Sequence, residues 1–269
     1  MNLDISFGQY CEGNSIIHRM DPRAKIVAAV LYIVTVFLAK NLYAFGLLLF
    51  SVVVLVAASR IPVRVVMKSM KPLVVILLFT AAINIFWMEG ETLIVSVGFI
   101  HIYLEGVINA ILIAVRIMIL LAGTTIFMTF TTTPIALTDG LEQLLSPLKK
   151  IGVPVHEFSM MMTIALRFIP TLTEETQKIM NAQKARGADF ESGKLMQRVK
   201  ALIPILVPLF ISAFRRADEL ATAMECRCYH GGEGRTKLHV LRFVMRDWAV
   251  MAGFVMLCAV VIALRSVGL

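Results

Sequence analysis

Two adjacent carboxylates are the residues of this sequence that come nearest to a hydrolytic centre. Glu174 and Glu175 form a pair of the kind that intramembrane proteases use. At helical spacing beyond them, however, stand Lys178 and Ile179, where an Arg or His companion would be needed. The pair therefore supports an intramembrane enzyme only as an alternative interpretation.

The sequence contains still fewer candidate residues for binding a metal ion or a nucleotide. Cys226-x-Cys228-x-His230 offers three ligands in one short stretch, whereas structural metal sites usually draw four. His156-Glu157 lacks the second His of a zinc-protease helix. The sequence has no glycine-rich phosphate-binding loop, so the chain is not expected to hydrolyse ATP by itself. We predict no metal site, no cofactor and no catalytic residue.

The composition indicates a membrane protein. Of the 269 residues, 58% are hydrophobic and only 16% are charged, and the mean hydropathy is +0.82. A soluble domain carries roughly 25% charged residues, so the shortfall points to apolar runs long enough to span a bilayer. Five stretches qualify as transmembrane helices: Ala24–Ala39, Leu42–Ala58, Leu73–Met88, Leu104–Phe130 and Trp248–Leu264.

Basic residues are distributed unevenly between the predicted loops, and this orients the chain. The stretch Thr131–Asp247 contains sixteen Lys and Arg residues, whereas the loop Glu89–Tyr103 contains none. Because cytoplasmic loops carry the excess of Lys and Arg, we predict a multi-pass protein with its N-terminus in the cytoplasm. The net charge of +8 then faces the cytoplasm, where it suits anionic lipid or an acidic protein better than nucleic acid.

Two further stretches within Thr131–Asp247 are apolar enough to compete as spans. They are His156–Arg186 and Leu202–Arg227, and each repeats apolar residues at helical spacing but carries charges in its second half. A lipid-facing helix would not tolerate those charges, so we predict two long amphipathic helices lying against the membrane domain. The alternative is seven spans, which would place the basic connection Gly187–Lys200 outside, against the distribution of charge.

The predicted fold is therefore all-α: about five transmembrane helices plus long cytoplasmic amphipathic helices. Residues 1–134 form an N-terminal membrane domain of four spans, 135–243 a cytoplasmic coupling domain, and 244–269 the last span. Arg116 is the one charge deep within a span. An ion path would need more polar groups, so we favour a structural role in which Arg116 pairs inside the helix bundle or lies near a helix end.

Both amphipathic helices end in a similar way. The first closes with Ala185-Arg186-Gly187 and the second with Cys226-Arg227-Cys228, which Gly231-Gly232 follows. An Arg in the last turn favours the helix dipole and Gly stops a helix, so simple capping explains either tripeptide alone. Their recurrence also fits docking, because an Arg fork at a helix end can pair with carboxylates or backbone carbonyls.

Four motifs occur in order along nearly the whole chain. They are Gly8-Gln9-Tyr10 with the segment Ser15–Lys25, then Arg116 followed by an apolar run and Thr131-Thr132-Thr133-Pro134, then Ala165-Leu166-Arg167-Phe168-Ile169-Pro170, then Ala185-Arg186-Gly187. Together they resemble the transmembrane T component of energy-coupling factor (ECF) transporters, the bacterial importers of vitamins and other micronutrients. The second tripeptide, Cys226-Arg227-Cys228, departs from the family's Ala-Arg-Gly motif by keeping only the Arg.

The resemblance implies a bacterial cell-membrane machine of four parts: this chain, two cytoplasmic ABC ATPases and a membrane-embedded, substrate-binding S component. ATP would be bound by the ATPases, and this non-catalytic chain would transmit their motion. The residues implied in ATPase coupling are Ala185, Arg186, Gly187, Cys226, Arg227 and Cys228. Those implied in contact with the S component are Met161, Met162, Ile169, Leu206 and Leu209. A secondary transporter remains a further alternative, although the sequence has no inverted repeat.

Overall fold

The computed structural model describes residues 10–11, 13–88, 92–97, 100–190, 195–232 and 241–266. Gly8 and Gln9 of the N-terminal motif, and part of the predicted connection Gly187–Lys200, lie outside these residues. The helices are α1 (Pro22–Leu38), α2 (Leu42–Ser59), α3 (Val63–Trp87), α4 (Leu104–Thr124), α5 (Pro134–Leu144), α6 (Val155–Ala185), α7 (Leu195–Cys226) and α8 (Met245–Ser266). A π-helical turn, Thr125–Phe130, extends α4, and a 3₁₀ turn, Ser146–Ile151, precedes α6.

The chain forms two compact units. The first combines Met1–Gln143 with Leu241–Leu269, and the second is Leu144–Val240. The first therefore contains α1 to α4 together with α8, and the second contains α6 and α7.

Five described helical segments are long and apolar enough to cross a membrane, which confirms the predicted fold class. They are α2, α3, Leu104–Phe130, the α7 segment Met196–Cys226, and α8. This set differs from the predicted one at two places. With 17 residues, α1 is short for a full crossing. By contrast, α7 qualifies because a long apolar stretch lies between Lys200 and Arg215.

Two helices begin earlier than the sequence analysis predicted. The third predicted span starts at Val63 rather than Leu73, and the second amphipathic helix starts at Leu195 rather than Leu202. In both cases the added turns carry Lys and Arg. Those residues lower hydropathy but are good helix formers, so a hydropathy limit places the helix start too late.

A short β-hairpin replaces part of the predicted loop Glu89–Tyr103. Strands β1 (Leu93–Val97) and β2 (Ile100–Tyr103) pair antiparallel, with Val97 opposite Ile100 and an irregularity between Leu93 and Val95. The second strand runs directly into α4. These strands, of five and four residues, were not predicted from the sequence.

Helix α1 lies at the centre of the first unit, against α4 and α8. Its buried face contains Ala24, Ala28 and Ala29, whose small side chains let neighbouring helices approach closely. The one large ring on this face, Tyr32, donates a hydrogen bond to the Ile119 carbonyl at 3.1 Å. It fills the space above Gly123, where an added Cβ would clash with the ring.

The N-terminal motif is held by contacts with distant parts of the first unit. Lys25 is 2% exposed, and its ammonium donates to the Thr131 carbonyl at 2.6 Å and to Thr132 Oγ1 at 3.2 Å. Asp21 caps α1 by accepting from the Arg23 backbone N–H at 2.9 Å, and its own N–H donates to Asp247 Oδ1 at 3.1 Å. The motif therefore joins the start of α1 to the end of the fourth span and to the start of α8.

Arg116 caps α1 at its other end. Its guanidinium donates to the Ala39 carbonyl at 2.9 Å and lies 5.3 Å from the Phe45 ring centre. Ala39 follows the last residue of α1, where carbonyls lack an intrahelical partner and the helix dipole is negative. The predicted pairing of Arg116 inside the bundle is confirmed.

Candidate functional site

The end of α6 is a Schellman motif centred on Arg186. The Gly187 N–H donates to the Lys184 carbonyl at 3.0 Å, and the Ala188 N–H donates to the Gln183 carbonyl at 3.0 Å. Gly187 has a φ of 86°, in the left-handed region that glycine adopts without steric cost. Because the chain reverses at Gly187, Arg186 caps the end of α6 and lies at its tip.

The end of α7 has the same geometry with different residues. The Cys228 N–H donates to the Glu225 carbonyl at 2.8 Å, and the Tyr229 N–H donates to the Met224 carbonyl at 3.1 Å. Cys228, with a φ of 56°, therefore occupies the position that Gly187 has in α6. The prediction that Gly231-Gly232 stops the helix is wrong, because the chain already reverses at Cys228.

Replacing a cysteine with glycine should have opposite effects on the stability of the end of α7 at Cys228 and at Cys226. A left-handed non-glycine residue costs roughly 1–2 kcal/mol, so Cys228→Gly should stabilise the end of α7 by about 1 kcal/mol. Cys226→Gly, within the helix, should destabilise it by roughly 0.5–1 kcal/mol. Hydrogen exchange of the amides around Arg227 measures both effects, as slower and faster exchange respectively. Equal acceleration by both variants would contradict a steric cost at Cys228.

All six residues of the two tripeptides are exposed. Within the described residues, the side chains of Arg186 and Arg227 have neither a hydrogen bond nor an ion pair. The guanidinium groups of Arg23, Arg116 and Arg216, by contrast, each donate to an oxygen of the protein. The two helix ends thus present arginines whose five donors are available to another molecule.

The two helices run in opposite directions. Glu175, towards the end of α6, accepts a hydrogen bond from Ser212 Oγ at 2.5 Å and one from Arg216 Nη2 at 2.8 Å. The beginning of α6 instead lies beside the residues after α7, where a Cβ on Gly232 would clash with the His156 ring. Because each helix is about 46 Å long at 1.5 Å per residue, Arg186 and Arg227 lie at opposite ends of the pair.

The carboxylate pair is split between two environments. Glu174 is exposed, whereas hydrogen bonding from Ser212, with the adjacent charge of Arg216, lowers the pKa of Glu175. A carboxylate held ionised by two donors is a poor proton donor, and a raised pKa is what a general acid needs near neutral pH. The arrangement fits a contact between helices better than acid–base chemistry.

Metal ligands do not converge within the described residues, where no group of three or more His, Cys, Asp or Glu could hold an ion. In the Cys226–His230 stretch, the His230 ring places Nδ1 2.9 Å from the Cys228 carbonyl oxygen.

The apolar residues assigned to a partner contact fall into two groups. Met161, Met162 and Leu206 are exposed, whereas Ile169 and Leu209 are partly buried. On α7 the exposed large apolar residues are Met196, Val199, Leu202, Ile203, Leu206, Val207, Phe210, Ile211 and Phe214. We call these nine residues the α7 apolar face.

Two phenylalanines of the α7 apolar face were not among the predicted contact residues. Phe210 and Phe214 are 61% and 67% exposed, and their rings stack with centres 6.4 Å apart. Their spacing of four residues can be read from the sequence. However, two apolar stripes lie side by side on α7, and periodicity does not tell which of them is exposed. Only the structure separates the stripe that includes Ala213, which lines a cleft between α6 and α7, from the exposed one.

Comparisons with known proteins agree along most of the chain. The family model described as CbiQ, cobalt transport protein, matches residues 13–238. The energy-coupling factor transporter transmembrane protein EcfT of Ruminiclostridium cellulolyticum is 53% identical over 247 residues, covering 92% of each chain. The protein of the same name from Acidaminococcus fermentans is 52% identical over 262 residues, covering 97% of this chain and 96% of its own. That of Bacillus subtilis is 48% identical over 259 residues, covering 96% and 97%.

Proposed function

The chain belongs to the family of energy-coupling factor transporter transmembrane proteins, and on that premise we propose that it couples two cytoplasmic ATPases to a membrane-embedded S component. In this proposal the complex imports a vitamin or another micronutrient through the cell membrane. The N-terminus and both arginine-bearing helix ends face the cytoplasm.

The observation that carries the proposal is the matched pair of helix ends. Each presents an exposed arginine on a Schellman motif, and the two lie at opposite ends of an antiparallel helix pair. One end can therefore bind one ATPase while the other binds a second. Arginine suits such contacts because its planar fork pairs bidentately with carboxylates and loses little freedom per hydrogen bond. Ala185, Gly187, Cys226 and Cys228 would surround these arginines within the contact.

The α7 apolar face is the surface we assign to the S component, and Met161 and Met162, near the start of α6, would form a second contact at the other end of the helix pair. Exposed apolar residues of this kind mark contacts with a protein or with the membrane, and Met side chains adapt to partners of different shape. Ile169 and Leu209, being partly buried, would support the surface more than form it.

The chain's own part in transport is mechanical. ATP binding by the ATPases would draw them together and move the two helix ends, and the helices would pass this motion to the apolar face. The S component would then reorient and release its substrate inward. The chain would need no cofactor of its own and would make or break no bond.

Co-purification tests the proposal. When the tagged chain is purified from its native membrane in mild detergent, we expect two ATPase subunits and an S component to elute with it. ATP hydrolysis by the eluted complex should be accompanied by substrate uptake after reconstitution into vesicles. Elution of the chain without ATPases, under conditions in which it stays folded, would contradict the proposal.

A further inference from the structure

Helices α6 and α7 are joined by a small polar network. Glu175 of α6 accepts from Ser212 Oγ at 2.5 Å and from Arg216 Nη2 at 2.8 Å, both on α7. We call these three residues the interhelix network. The side chains of Arg216 and Glu175 are 35% and 23% exposed, so the ion pair lies near the surface of this unit. Such pairs contribute little to stability.

The interhelix network lies at the same distance from both arginines. Arg186 follows Glu175 by eleven positions, and Arg227 follows Arg216 by eleven positions. At 1.5 Å per residue, each of these C-terminal segments, which we call arms, is about 16 Å long. Because the helices are antiparallel, the arms extend from the network in opposite directions.

Each helix also contains a proline shortly before the network. Pro170 precedes Glu175 by five residues in α6, and Pro208 precedes Ser212 by four in α7. An internal proline removes one backbone hydrogen bond and is a common place for a helix to bend. The helices are therefore weakened about one turn before the network and not within the arms.

The α7 arm has room to move. Between it and α6 lies a cleft of about 260 Å³, which is lined on one side by Ile164, Phe168 and Leu172. On the other side small residues recur once per turn, at Ala213, Ala217 and Ala221. The arm thus borders open space next to the network.

We propose that Glu175, Ser212 and Arg216 are positioning residues that form the pivot between two equal arms, so that displacement of one arginine-bearing end is transmitted to the other. The inference rests on the proposed function, because it takes the two ends as the ATPase contacts. It adds that the two ATPases act on the S component together through this pivot. Loss of the pivot would leave each ATPase attached but would uncouple hydrolysis from uptake.

The test uses the complete reconstituted complex and measures uptake per ATP hydrolysed. Glu175→Gln, Ser212→Ala and Arg216→Gln should each lower this ratio by about fivefold, as expected for residues in one contact network. The charge-exchanged double variant, Glu175→Arg with Arg216→Glu, should restore at least part of the loss. Glu174→Gln and Arg215→Gln are matched controls, because both residues are exposed and neighbour the network in sequence.

The outcomes separate this inference from the proposed function. A lowered ratio in the network variants, with both ATPases retained and the controls unchanged, supports the pivot. An unchanged ratio, or loss of the ATPases from the variants, overturns it even though the wild-type complex assembles. Failure of the wild-type chain to bind ATPases would instead overturn the proposed function. A charge exchange that restores nothing would also contradict a pivot built on the ion pair.

Discussion

Replacing both Arg186 and Arg227 with Ala is expected to abolish uptake while the chain stays inserted in the membrane. If the arginines only favoured the helix dipole, each substitution would cost about 0.3–1 kcal/mol and transport would survive. If each is a desolvated, bidentate contact with an ATPase, each should cost roughly 2–5 kcal/mol of binding. Co-elution of the ATPases and uptake by vesicles measure the difference, and we expect each single variant to impair both.

Matched variants separate charge from geometry at these ends. Arg215→Ala removes an exposed arginine from the same helix as Arg227, and it should leave ATPase binding unchanged. Arg186→Lys keeps the charge but not the planar fork, so it should retain only part of the binding. Normal uptake in the double Ala variant would rule out a docking role for both arginines.

The helix ends were largely readable from the sequence, because local chemistry decides them. The α6 prediction, His156–Arg186, lies within one residue at each end of the observed Val155–Ala185. Apolar periodicity fixed the helix and a glycine marked its end. At α7 the same reasoning looked for a glycine and passed over Cys228, since a cysteine in the left-handed conformation has no sequence signal.

The contacts of the N-terminal motif could not be predicted in the same way. Lys25 is hydrogen bonded to Thr131 and Thr132, more than a hundred residues away, and Asp21 to Asp247, more than two hundred away. Hydropathy treats such residues as the polar boundary of a span. Only the packing of α1 against α4 and α8 makes them a buried network, in which a lysine contacts backbone and hydroxyl oxygens.

Tertiary packing also explains why some of the residues predicted to contact the S component are exposed and others are partly buried. Periodicity locates an apolar helix face to within about one residue's rotation, but α7 has apolar residues over most of its circumference until Phe214. The contact with α6 decides which of them are covered. Leu209, predicted as a contact, is partly buried, whereas Phe210 beside it is exposed. A substitution that tests the partner surface should therefore be placed on an exposed residue.

Leu206→Asp is expected to release the S component while both ATPases stay bound. Leu206 is 47% exposed on the α7 apolar face, so the new carboxylate is hydrated in the chain alone. It must lose that hydration when an apolar partner covers it, which costs several kcal/mol for an unpaired charge, or roughly a hundredfold or more in affinity. Quantifying each subunit that elutes with the tagged variant measures the effect.

A control carboxylate distinguishes a lost contact from a damaged helix. Ala223→Asp adds the same group at an exposed position of α7 that lies outside the apolar face, and there the S component should remain bound. Met161→Asp should release the S component as Leu206→Asp does, because Met161 is exposed to a similar degree on α6. Loss of the ATPases with retention of the S component in either variant would mean that the apolar face and the arginine-bearing ends have been assigned to the wrong partners.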